Sequence, residues 1–203
     1  MLPTVENEFA ITQKILAAVP DDKASYRPDE NSMTAFDLAW HIASAETRFL
    51  GCLPAGEFSF EPFEKPTTMD GIVAFHAEHF HKVLPKLKAM TGEQAAKVMD
   101  FRGVFKLPAV AYVTFNNNHT IHHRGQLSTY LRPMGVKVPA IYGESYDSAL
   151  AKKELQTAKD AGMVVCSQAI ISPFQCCISG FCQRPIPWPP PSMVTTWQPE
   201  ATA

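Results

Sequence analysis

Three of the seven histidines in this 203-residue chain fall within five positions: His119, His122 and His123, in the run NNNHTIHHRGQ. Side chains four residues apart stand one above the other on a helix, so His119 and His123 can direct two imidazoles at one divalent ion. His122 then points elsewhere. The pair has the spacing of H-E-x-x-H, but Thr120 stands where that motif needs its glutamate. Without that general base the metalloprotease reading is set aside. Local composition also marks the segment. Asn116, Asn117, Asn118, Thr120 and Gly125 are mediocre or poor helix formers, and together they cost roughly 3 kcal/mol of helix preference relative to alanine. Sequences usually break their local rules at functional positions. The competing reading is a polar, partly exposed stretch of helix.

Two imidazoles hold a divalent ion poorly in water, so a third ligand is needed, and His41 is the best candidate. It lies three residues after Leu38 and four before Ala45, on the flank of a buried stripe and directed between helices. A rival set is His76, His79 and His81. His76 and His79 can share a helix face, but the sequence shows no polar cluster to oppose them, and they read as a surface or edge feature, with His79 the one able to approach the site. A general base is not identifiable. Glu46 follows His41 by five residues, about 500° of helical rotation, which leaves it some 140° around the helix. Cys52 sits at a helix C-terminus, where the dipole disfavours a thiolate, and reads as buried filler. Asp37 and Arg48 read as cap and surface residues, and Trp40 as core or pocket wall.

These residues must be positioned by helices. Val5, Phe9, Thr12, Leu16 and Val19 recur at helical spacing between Pro3 and Pro20. A second helix begins at Thr34, where Thr34-x-x-Asp37 resembles a capping box, and buries Leu38, Ile42, Ala45 and Phe49. Residues 51–68, with GEFSFEPFEKP at their centre, mix phenylalanine and proline without period and read as an ordered connecting loop. A third helix spans about Met69 to Met90, with a kink expected at Pro85. Val98 to Leu107 is short and weakly extended in preference. The longest helix runs from about Pro108 to Leu131, stopped by Pro133 and Gly135, and a last one covers Tyr146 to Lys159. Four substantial helices without a credible sheet predict an all-α bundle over residues 1–162.

Composition changes after Gly162. From Met163 to Ala203 only Arg184 and Glu200 carry side-chain charge, and seven of the 17 prolines fall there. That composition excludes a long helix. Residues 163–203 are therefore expected to form an irregular, proline-rich tail, poorly ordered and resembling an out-of-frame or read-through end more than a partner-binding element. Four of the five cysteines, Cys166, Cys176, Cys177 and Cys182, crowd into it without the paired knuckles of a structural zinc site. The balance of 18 Lys+Arg against 20 Asp+Glu gives no basic footprint for nucleic acid. No apolar run spans a bilayer, and MLPTVENEFA lacks the features of a signal peptide, so no membrane partner and a cytoplasmic location are expected.

The chain resembles the DinB/YfiT-like family of four-helix bundles with a three-histidine metal site. The resemblance is carried by SMTAFDLAWHIASAE around His41, by the loop YRPDENS, and by HTIHHRGQLSTYLRPMGVKVPAIYG from His119. In the last block H-x-x-x-H-R-G-Q, the LRPMG helix end and P-x-I-Y-G occur in order. The likeness covers about residues 1–160. It implies metal ligands at His41, His119 and His123, all three of which match, and gives Arg124 and Gln126 supporting or packing roles. Gly125 is expected to permit close approach of a neighbouring helix.

All-imidazole ligation suits zinc and nickel, and also iron or copper. Three ligands leave a position open for a water or a thiol. The resemblance implies thiol-dependent S-transferases and isomerases, so the expected activity is transfer or hydrolysis on a small electrophile, with a low-molecular-weight thiol as cosubstrate. The alternative is a metal-binding or stress-associated helical protein without turnover. A homodimer through helix faces is also expected from the resemblance.

Overall fold

The computed structural model describes residues 2–161, 164–166 and 169–171. The chain divides into a unit ending at Leu150 and a second beginning at Ala151. The first holds helices α1 (Leu2–Leu16), α2 (Ala35–Cys52), α3 (Met69–Lys88), the short α4 (Gly92–Ala96), strands β1 (Val98–Phe101) and β2 (Phe105–Pro108), and α5 (Ala109–Leu131). Helix α6, Tyr146–Asp160, continues across the division. Beyond it, β3 (Val164–Cys166) pairs antiparallel with β4 (Ala169–Ile171). The readings placed on Cys176, Cys177, Cys182 and the tail prolines lie outside the described residues. Among the described residues, no helix is long and apolar enough to cross a membrane.

Local chemistry explains the boundaries. Pro3 sits in the first turn of α1, where its missing N–H costs nothing. Thr34 caps α2 by accepting the Asp37 backbone N–H at 3.0 Å, and Thr68 caps α3 by accepting from Gly71 at 3.1 Å. Helix α3 continues through Pro85 to Lys88. The end of α5 is closed by two backbone bonds, Val136 N–H to Leu131 C=O and Gly135 N–H to Arg132 C=O, both 2.9 Å. Gly135 has φ +71°. This is a Schellman closure, and it accounts for the glycine in LRPMG.

Helix α2 packs against α3 and α5, and α1 packs against the same two helices. The apolar interior falls into two clusters. One gathers Ile15, Leu16, Leu38, Ile42, Ile72, Leu127 and Leu131; the other gathers Val5, Phe49, Leu50, Phe80, Leu87, Tyr112 and Val113. The order in which each helix visits them fixes its direction. Helices α1 and α5 pass from the second cluster to the first, whereas α2 and α3 pass from the first to the second. The neighbours α2 and α3 are therefore parallel, and the segment between them must return the length of the bundle. Helix α2 is about 27 Å long, and the connection 53–68 has enough chain to span about 50 Å.

Between the clusters lies a buried polar layer to which α1, α2, α3 and α5 all contribute: Glu8 and Thr12, Glu46, His76, and Asn116, Thr120 and Arg124. Arg124, 1% exposed, donates to Glu8 Oε2 at 2.6 Å and Thr12 Oγ1 at 3.1 Å. Tyr142 closes over the pair, donating to Glu8 at 2.7 Å. Burial, then its bond to the Glu8 carboxylate, holds the Tyr142 phenol above its ordinary pKa. Arg124 thus ties α5 to α1, and the tyrosine of P-x-I-Y-G covers that tie.

The segment Val98 to Leu107 forms more than an isolated extended stretch: β1 and β2 pair antiparallel, with Met99 opposite Leu107. The expectation of no sheet is corrected to this extent. The Tyr112 hydroxyl lies 3.0 Å from the carbonyl oxygens of both Met99 and Phe105, so one proton is shared between the two strands. At the tip, Arg102 and Gly103 both have positive φ, +54° and +73°. A turn of this kind ordinarily favours asparagine before the glycine.

Truncating one partner of a buried ion pair leaves the other charged and unpaired. Arg124→Ala should therefore lower stability by about 3 to 5 kcal/mol, read from urea unfolding, and an effect below about 1 kcal/mol would contradict the role assigned to this pair.

Candidate metal centre

The register of α2 against α5 brings the three histidines together. His41 Nε2 lies 3.1 Å from His119 Nε2 and 3.2 Å from His123 Nε2. The three candidate ligand atoms all lie within 4.8 Å of one another. Nitrogens bound about 2.1 Å from a common centre stand about 3.0 Å apart at right angles and about 3.4 Å apart at tetrahedral angles. The spacings around His41 match that geometry. His122 is exposed and is not among the converging ligands, as expected, although its ring stands 4.8 Å from that of His123.

The surroundings favour neutral rings. His123 Nδ1 lies 3.0 Å from Gln126 Oε1. An amide oxygen only accepts, so the ring proton belongs on Nδ1 and the Nε2 lone pair faces the centre. Burial, and then the neighbouring His123, His41 and His122, push the pKa of His119 down to about 4. The His41 ring is likewise shifted down, by burial and then by His123. His119 Nδ1 is buried and, among the described residues, has no hydrogen-bond partner.

Helix α5 carries two interleaved stripes. Asn116, Thr120 and Arg124 are buried in the polar layer, while Phe115, His119 and His123 sit one residue behind on the adjoining face. Thr120 donates to Glu46 Oε2 at 3.3 Å and so pins α5 to α2 next to His119. The mid-helix residues that read as poor helix formers include two of the buried polar anchors.

A cavity of about 380 Å³ opens beside His41 and His119. Its walls include Phe49 from α2, Phe115 from α5, Phe101 from the hairpin and Phe60 from the connection 53–68, and Arg48 and Arg102 also line it. Arg48 donates to the Ser59 and Glu61 carbonyls at 2.6 and 3.0 Å. Cys52 is buried, and its Sγ accepts the Ser59 N–H at 3.3 Å. These bonds hold the returning segment over the site. Arg48 is thus more than the surface residue expected, whereas Cys52 is filler with one polar contact, and Asp37 serves the α2 cap.

The rival histidines do not join the centre. His76, 1% exposed, is no surface feature. Its Nδ1 lies 2.6 Å from Gln13 Nε2 and its Nε2 lies 3.3 Å from Glu46 Oε1. The opposing polar cluster missed in sequence comes from α1 and α2. Glu46 is turned to His76 and Thr120, consistent with its poor angular position as a base. His79 is half-buried against Phe75, with Nδ1 2.8 Å from that residue's carbonyl. Gly125 is exposed, and among the described residues no neighbouring helix stands within 4 Å of where its Cβ would lie, so the expected close approach is not found there. Trp40 packs on the core and on Phe75, and is not part of the cavity wall. The sequence reading gives Arg102, Phe60 and Phe101 no place at the site; for Phe60 the aromatic run GEFSFEPF was the available signal.

A histidine whose folded pKa lies below its ordinary value of 6.5 binds fewer protons folded than unfolded. Its contribution to stability is full above about pH 6.5 and is lost as pH falls toward 4. In metal-free protein, His119→Ala should flatten the fall of stability across that window, measured by chemical unfolding at a series of pH values. An unchanged slope would contradict a neutral, buried ring.

A model of the DinB family matches residues 2–156. Protein YjoA of Bacillus subtilis is 29% identical over 128 residues, covering 62% of this chain and 82% of that protein. YrdA of the same organism is 26% identical over 148 residues, covering 70% and 86%. The crystal structure of YjoA, described as DinB-like, superposes with a TM-score of 0.58 at 25% identity, covering 68% of this chain and 94% of that one. A DinB-like protein from Bacillus cereus ATCC 10987 gives 0.61 at 26% identity, covering 70% and 95%. The helical bundle, the three converging histidines and the match over most of the chain lead to one assignment: this protein belongs to the DinB family.

Proposed function

We propose that the protein is a metal-dependent enzyme in which His41, His119 and His123 hold one divalent ion, with a low-molecular-weight thiol or water as the nucleophile and a small electrophile as substrate. The observation that carries this reading is the convergence of the Nε2 atoms beside an open cavity. Three neutral imidazoles suit zinc or nickel best, and when bound such an ion supplies Lewis acidity that lowers the pKa of a thiol or water.

The chain's own contribution is placement. Gln126 fixes the His123 tautomer, the Thr120–Glu46 bond sets His119 against His41, and four phenylalanines give the cavity apolar walls. Among the described residues no carboxylate lines the cavity, so no such base there takes the nucleophile's proton. That feature favours a second reading, a metal-holding or stress-associated protein without turnover.

Elemental analysis of protein purified without a histidine tag should find about one divalent ion per chain. His119→Ala should lose it, and Gln126→Ala should weaken binding by about 10- to 100-fold. Equal metal in the wild type and His119→Ala would end the ligand assignment. Conjugation of a cellular thiol to 1-chloro-2,4-dinitrobenzene or an epoxide, with hydrolysis as the water arm, should be sensitive to chelator. No chelator-sensitive rate in any arm would favour the reading without turnover.

A further inference from the structure

The cavity beside the histidines is apolar along much of its wall and is lined by two arginines, Arg48 and Arg102. Helix α2 presents His41, Ser44, Ala45 and Arg48 to it at positions i, i+3, i+4 and i+7, one stripe about 10 Å long from the histidine to the arginine. Along that length Phe49, Phe101 and Phe115 supply aromatic surface. Arg102 reaches the cavity from the hairpin tip. Its guanidinium carbon lies 4.2 Å from the centre of the Phe60 ring, and among the described residues it has no hydrogen-bond or ion-pair partner. Arg48 uses Nη1 and Nη2 on loop carbonyls, but a guanidinium has five N–H donors, so capacity remains. Among the described residues, no acidic side chain is part of the lining.

We propose that this cavity binds a small organic carboxylate, with its apolar or aromatic body against the phenylalanines and its carboxylate against Arg102 and Arg48. Planar guanidinium groups match carboxylates in geometry as well as charge. An amine would be repelled, and a neutral ligand would gain nothing from either arginine. The size falls within the range of small-molecule sites, about 300 to 1,000 Å³. That the far end of the ligand reaches the reacting centre rests on the function proposed above; the anion site itself does not.

The test is calorimetric titration of the full chain, first in chelator, with 4-phenylbutyrate and its neutral counterpart 4-phenylbutanol. The acid should bind about tenfold more tightly than the alcohol, with the gap shrinking as salt is added. Arg102→Asn should remove most of the gap, because asparagine tolerates the left-handed turn and keeps the hairpin while the charge is lost. Arg48→Gln is the second variant. Equal binding of acid and alcohol, no binding of either at millimolar concentration, or acid binding unmoved in both variants would overturn the proposal. So would acid binding that appears only after metal is added and survives Arg102→Asn, since the carboxylate would then be a metal ligand. Protein that takes up no metal yet binds the acid through Arg102 would defeat the metal-enzyme reading and leave this one standing.

Discussion

The bundle depends on a layer of polar groups buried halfway along it. Apolar clusters above and below tolerate sliding, because one leucine replaces another at modest cost. The Arg124–Glu8 pair and the Glu46–His76–Thr120 group do not tolerate it. Moving any helix by a turn would leave a buried charge or donor without its partner, a penalty of several kcal/mol. The layer therefore acts as a register lock among four helices. His41 and His119 come from segments 78 residues apart in the chain, and they meet because Thr120, beside one of them, is fixed to Glu46, five positions beyond the other.

The parallel arrangement of α2 and α3 has a second effect. A tight turn cannot join parallel neighbours, so residues 53–68 run back along the bundle and become a wall over the histidines. Phe60 on this segment approaches Phe101 on the hairpin at 5.6 Å, and Phe49 on α2 contacts both Phe101 and Phe115. Four separate parts of the chain meet in one aromatic cluster, and the cavity is the space they leave beside the imidazoles.

The histidine pair on α5 was legible in sequence because i, i+4 spacing is a local property of a helix. His41 was legible from the flank of its apolar stripe. The helix limits followed from Thr34, Pro108 and Gly135, whose effects are also local. His76 was misread because its partners, Gln13 and Glu46, belong to other helices. The Gly125 expectation failed for a related reason: glycine on a helix invites the idea of close packing, but which face is covered is decided by neighbours. Arg102 carries no local signature of its place beside Phe60, which comes from a turn, a hairpin and a returning loop acting together.

The returning segment is held to the bundle by two carbonyls bonded to Arg48, one amide bonded to Cys52, the Lys65–Asp37 ion pair, the buried Leu53 and a set of ring contacts. None of these involves the polar register lock. Leu53 apart, its side chains can accordingly be exchanged with little effect on how the helices align, so the alignment of the three histidines is insulated from the loop while the shape of the cavity beside them is open to change in a few codons.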